Sequence, residues 1–233
     1  MAFAYREHIS VLAEIKEIAI ADIVLIIAFS STLAGGALFS NGNFLSQFIY
    51  FVPISAIAVT LSFVLHELMH KFVAQHYGAV ASFRTSLNGL LITLATGLMG
   101  FLLGIPGATY IYTNSFTKEE DGKVSLAGPL TNFAIFGIFA VAIFALNPAP
   151  NSYLANVISF TISVSILLAF FNMLPIFPLD GSKVFAWNKG IYLITMGIIF
   201  VLLYLFTDIP LLNIAYFILI AFIFSIFYRG FRF

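Results

Sequence analysis

The chain is 233 residues long, 61% hydrophobic and only 9% charged, with a mean hydropathy of +1.07. That balance excludes an ordinary soluble domain, which is near half apolar and about a quarter charged, and reads as an integral membrane protein. A net charge of zero with no basic run gives no argument for nucleic acid as a partner, and the absence of cysteine excludes disulfides, thiolate metal sites and a cysteine nucleophile.

Residues 1–17 form a short lead-in, with Ile9, Leu12, Ile15 and Ile18 at helical spacing, placed at the membrane surface or in solvent. Its mixed charge does not fit a cleaved signal peptide, so the first apolar run, 18–39, is expected as a retained transmembrane helix. A turn at Ser40–Asn43 leads to the second span, 48–77, which tolerates Pro53 near its start and is stopped by Gly78. Residues 79–88 read as a polar loop. A glycine-rich apolar stretch, 89–112, follows and ends in a short strand, Ala108–Tyr112. Asn114–Lys123 is the most charged stretch and reads as a solvated loop. Four further spans are expected at 124–146, 153–174, 190–206 and 211–228. The expected fold is thus an all-α polytopic membrane protein in one domain. It has about six transmembrane helices and a re-entrant segment with a short β element between the second and third.

The ten Lys and Arg residues set the orientation. If 89–112 dips into the membrane and returns, every one falls on one side, as the positive-inside rule requires. Both termini and the active site then face the cytoplasm of a multi-pass cell-membrane protein. Non-helical backbone at membrane depth must be buried in protein or line a wet cavity, so this segment is expected to flank the active site.

The second span closes on His66-Glu67-Leu68-Met69-His70. Residues four apart lie one turn above each other on a helix, so His66 and His70 can hold one metal ion. Glu67 is placed beside them as a base for a water activated by that metal. Chance would give this pattern roughly twice in a thousand such chains. The plain alternative is three polar side chains ending a membrane helix at the interface, but polar clusters there usually mark function. His76, six residues past His70, turns away from the ligand face. A catalytic zinc wants a third protein ligand. Asp180, after the span at 153–174, lies on the same side as the histidines in the re-entrant topology; its alternative role is a helix N-cap. Hydroxyls in the spans at 48–77 and 153–174, Ser55, Thr60, Ser62, Thr161, Ser163 and Ser165, either line a water path or, more commonly, bond back to their own helices or pack between them.

His66-Glu67-x-x-His70, Gly128-Pro129-x-x-Asn132 and Asn172-x-x-Pro175-x-x-Pro178-x-Asp180-Gly181 together resemble the site-2 protease family, intramembrane zinc metalloproteases like the sporulation-factor protease and its archaeal relatives. The resemblance implies one zinc ion per chain, held by His66, His70 and Asp180, with Glu67 as catalytic base. It implies that Asn172, and with it Asn132, positions the substrate. An extended substrate would pair with the strand at Ala108, Thr109 and Tyr110 by β-augmentation. The substrate would be the transmembrane segment of another protein in the lipid bilayer; the oligomeric state is not readable. Nothing matches the PDZ or CBS-type domains of some members. Three alternatives stand beside this reading: a prenyl-protein type metalloprotease, a zinc transporter and a catalytically inactive membrane scaffold. The first wants a glutamate ligand on a later helix, and no span after Lys123 contains Glu.

Overall fold

The computed structural model describes residues 10–40, 42–113, 116–207, 218, 219 and 222. Residues 1–9 of the lead-in, Asp208 and almost all of the expected last span lie outside the described residues. The chain divides into two compact units, Met1–Ala56 with Ala79–Tyr112, and Ile57–Gly78 with Thr113–Phe233. Among the described residues four helices are long and apolar enough to cross a membrane: Phe44–His76, Lys118–Leu146, Tyr153–Asn172 and Lys189–Phe206.

The first unit holds helix α1 (Val11–Leu33), most of α2 (Phe44–Val59), strand β1 (Val80–Thr85), the short apolar helix α4 (Leu87–Leu98) and strand β2 (Gly107–Tyr112). α1 starts inside the expected lead-in, because Ser10 caps it by accepting from the Ala13 amide at 3.2 Å. Two of the early carboxylates, Glu14 and Glu17, are taken up by the strand. Glu14 accepts from the Phe83 amide (3.0 Å) and Glu17 from the Thr85 amide (2.7 Å), while Arg84 reaches Glu17 at 3.2 Å. Alternate amides of a strand point the same way, so one edge of β1 is satisfied by two carboxylates a turn apart on α1.

β1 corrects the expected loop at 79–88. It pairs antiparallel with β2, Val80 opposite Tyr112 and Thr85 opposite Gly107. The expected strand at Ala108–Tyr112 is present. The stretch before it is not extended throughout: α4 leads out, and the chain returns beside it. Thr93 donates to the Leu103 carbonyl and accepts from the Ile105 amide, both at 3.0 Å, and Thr96 accepts from the Leu103 amide at 3.1 Å. Two threonines therefore satisfy backbone groups that no helix or sheet serves. The Ser86 amide donates to the Pro106 carbonyl at 2.9 Å, so the two ends of the segment are neighbours.

The second unit holds α3 (Leu65–His76), α5 (Lys118–Leu146), α6 (Tyr153–Asn172), α7 (Asp180–Trp187) and α8 (Lys189–Phe206). A five-residue π turn, Thr60–Val64, joins α2 to α3. The second span begins at Phe44 rather than 48, which puts Pro53 inside the helix rather than in its first turns. It ends as expected, with Gly78 at φ +79°. α5 begins at Lys118, inside the expected charged loop. Thr117 accepts from the Glu120 amide at 3.2 Å, and Glu120 accepts from the Thr117 amide at 2.8 Å. That capping box, with Glu119, Glu120 and Asp121 at the positive end of the helix dipole, turns the acidic run into a helix start. The core lies among α5 to α8: Phe136, Ile158, Ile162, Ile166, Phe170, Met173, Val184, Ile199 and Leu203 are all buried.

Candidate metal centre

α3 carries His66 and His70 one turn apart, and both are buried, at 1% and 7% exposure. α5 packs along α3 and contributes two features at a one-turn interval. The Val124 carbonyl lies 2.8 Å from His70 Nδ1. A ring that donates from Nδ1 keeps its lone pair on Nε2, so this bond fixes both the tautomer and the direction of the ligand atom. Gly128, one turn further, abuts both rings on their Nε2 sides.

The third side chain comes from the connection between α6 and α7. α6 ends at Asn172, and the Met173 amide closes it on the Ala169 carbonyl. The following turns are held by Ile176 to Leu174 and Leu179 to Ile176, both at 2.8 Å, and α7 opens at Asp180. Asp180 is the first residue of α7, not its N-cap; Leu179 holds that place, with no side-chain cap. Gly181 matters here because a Cβ on it would run into the Met173 and Leu174 carbonyl oxygens at the end of α6. Without one, α7 starts hard against α6, and Asp180 is aimed at the histidines.

The result is a triangle of ligand atoms. His66 Nε2 and His70 Nε2 are 3.0 Å apart, and Asp180 Oδ2 lies 3.4 Å from the first and 3.1 Å from the second. His66, His70 and Asp180 are the group among the described residues that could hold a metal ion. Burial raises the Asp180 carboxyl, and the neighbouring His70 and His66 more than reverse this, holding it well below the usual carboxylate range. Three ligand atoms this close to one another are held together by a shared cation, a proton or a metal ion. Tetrahedral zinc with ligands at about 2.0–2.1 Å places them about 3.3 Å apart, close to the spacings found here. The residues present therefore fit zinc.

Glu67 is partly buried on α3 between the two histidines in sequence. Asn132, one turn beyond Gly128 on α5, is fully buried, and neither its Nδ2 nor its Oδ1 has a hydrogen-bond partner. Asn172 donates from Nδ2 to the Leu168 carbonyl at 3.1 Å, back into its own helix. Ser62, in the π turn, bonds across to Ser165 of α6 at 2.7 Å, and Thr161 donates to the Val157 carbonyl at 2.8 Å, so these hydroxyls pack or bond back rather than stand open. Ala108, Thr109 and Tyr110 lie on β2, opposite Arg84, Phe83 and Ser82. Sequence reasoning missed Gly128, Gly181 and the Val124 carbonyl. The two glycines stood inside recognised motifs, but nothing local shows that space rather than chemistry fixes them.

Over 165 residues the chain is 42% identical to "Putative zinc metalloprotease MJ0611" of Methanocaldococcus jannaschii, a match covering 70% of this chain and 84% of that protein. The chain belongs to the site-2-protease-like family of zinc metalloproteases. It is also 29% identical to "Putative zinc metalloprotease YwhC" of Bacillus subtilis, over 60% of this chain and 73% of that one. The chain is likewise 29% identical to "Zinc metalloprotease MJ0392" of Methanocaldococcus jannaschii, over 55% of this chain and 32% of that protein. No family model and no solved structure matches the chain.

Proposed function

We propose that the chain is an intramembrane zinc metalloprotease that cleaves transmembrane segments of other membrane proteins, as in regulated intramembrane proteolysis. The observation that carries this is the convergence of His66, His70 and Asp180 from two distant stretches of sequence onto one point. His66, His70 and Asp180 are the proposed ligands of one zinc ion and Glu67 the proposed base. A zinc ion held there supplies Lewis-acid polarisation of the scissile carbonyl and brings the pKa of a water to about 7. Glu67 takes the proton from the attacking water and returns it to the leaving amine, so the bond breaks without releasing a free amide anion. Asn132 presents a buried carboxamide with both ends unsatisfied, which supports a role in holding substrate backbone or an ordered water. Asn172 already spends one N–H on Leu168, leaving its second for substrate. An extended substrate adds to Ala108, Thr109 and Tyr110 by main-chain pairing.

Six spans, with both termini and the zinc toward the cytoplasm, follow from the one-sided distribution of Lys and Arg. The meeting of the two ends of the 86–107 segment supports a re-entrant rather than a crossing path. A transporter would place charges near the middle of several spans, and a scaffold needs no Glu67; the compact His-His-Asp group favours catalysis over both. The test is cleavage of a model single-span substrate by purified protein in detergent or vesicles. Cleavage that a chelator stops and added zinc restores supports the proposal; zinc-loaded protein without cleavage of any membrane substrate contradicts it.

A further inference from the structure

The geometry points to Gly128 as a positioning residue of the metal centre: the missing side chain is what lets α5 approach both ligand imidazoles. A Cβ on Gly128 would lie 2.6 Å from both Nε2 and Cε1 of His66, and closer still to His70 Nε2. Ordinary contacts of this kind run to about 3.5–4.0 Å, so a methyl group there overlaps both rings. Neither ring has room to yield. Both are buried, His70 is tied to the Val124 carbonyl one turn earlier on α5, and both face Asp180. One face of α5 thus does two linked things: Val124 orients the His70 ring, and Gly128 brings the helix close enough for that bond to form.

The other glycines of α5 show that this demand is local. A Cβ on Gly137 meets nothing within 4 Å, and one on Gly122 meets Trp187 of α7, away from the histidines. Gly137→Ala is therefore an internal control on the same helix. Gly128 stands in the Gly-Pro-x-x-Asn motif and Gly137 does not, but the physical reason for a glycine at 128 is read from the packing.

Two measurements test the inference. The first is thermal unfolding of purified, metal-free protein in detergent. Gly128→Ala should melt well below Gly137→Ala, and the penalty should vanish when Gly128→Ala is combined with His66→Ala and His70→Ala, because the atoms it collides with are gone. An equal penalty with and without the histidines, or none at all, overturns the inference. If Gly128→Ala alone does not fold, recovery in the combined variant is the expected result, and failure to recover overturns it. The second is zinc competition against a chromogenic chelator, and it rests on the zinc reading of the site. Gly128→Ala should bind zinc at least fivefold more weakly than Gly137→Ala; a smaller difference contradicts the inference. Wild-type protein that binds no zinc would sink the zinc reading alone, and the unfolding comparison would still decide the role of Gly128.

Discussion

Glu67 and Asp180 differ in what their loss should do. Glu67→Gln keeps the three ligand atoms and removes the base, so zinc binding should stay near wild type while turnover falls by roughly 10²–10⁴. Zinc content and cleavage rate measured on the same preparation check this; undiminished cleavage would remove Glu67 from the mechanism. Asp180→Ala takes one of three ligands and should weaken zinc binding markedly, read by chelator competition. At this scale the sequence was most legible. The histidines announce themselves by spacing, and Asp180 emerged because charge is so sparse that few carboxylates remained. Gly128 and Gly181 did not, because a glycine's reason lies in what would strike its side chain, and those atoms come from α3 and the end of α6.

At the scale of elements, turn chemistry marks the ends of some apolar runs closely, as at Gly78 and at Tyr153–Asn172, but not the first, which is expected over 18–39 and found as Val11–Leu33. The errors gathered where polar residues serve helices and strands rather than loops. The acidic run before Val124 is a capped helix start, and the early carboxylates of α1 satisfy β1. Thr117→Ala should destabilise α5 by about 1 kcal/mol, measurable as a lowered unfolding midpoint in mild denaturant, with zinc affinity unchanged. The π turn had no signal, since Thr60–Val64 contains neither proline nor glycine. It sits directly before the histidines and is pinned by Ser62 to Ser165 of α6. π turns often mark functional positions. Helix α7 was hidden because eight residues after two prolines leave too short a window for periodicity.

At the scale of the whole molecule, the proposed site requires its parts to share one side of the membrane. Lys71, just past His70, and Lys183, just past Asp180, must be reached from the same face of the membrane, and Asn151 from the other. The chain has no cysteine, so single substitutions of these residues with cysteine give unambiguous labelling sites. An impermeant thiol reagent should reach Lys71→Cys and Lys183→Cys from the cytoplasmic side and Asn151→Cys from outside. Positions 71 and 183 labelled from opposite sides would break the shared site, and family membership would not repair it.

The most direct measurement is X-ray absorption at the zinc edge on the purified protein. The expected spectrum is one zinc per chain with two imidazoles and oxygen ligands at about 2.0–2.1 Å, one imidazole disappearing in His66→Ala and the oxygen shell changing in Asp180→Ala. A zinc shell that Asp180→Ala leaves untouched, or one that holds a single imidazole in the wild-type protein, would contradict the account.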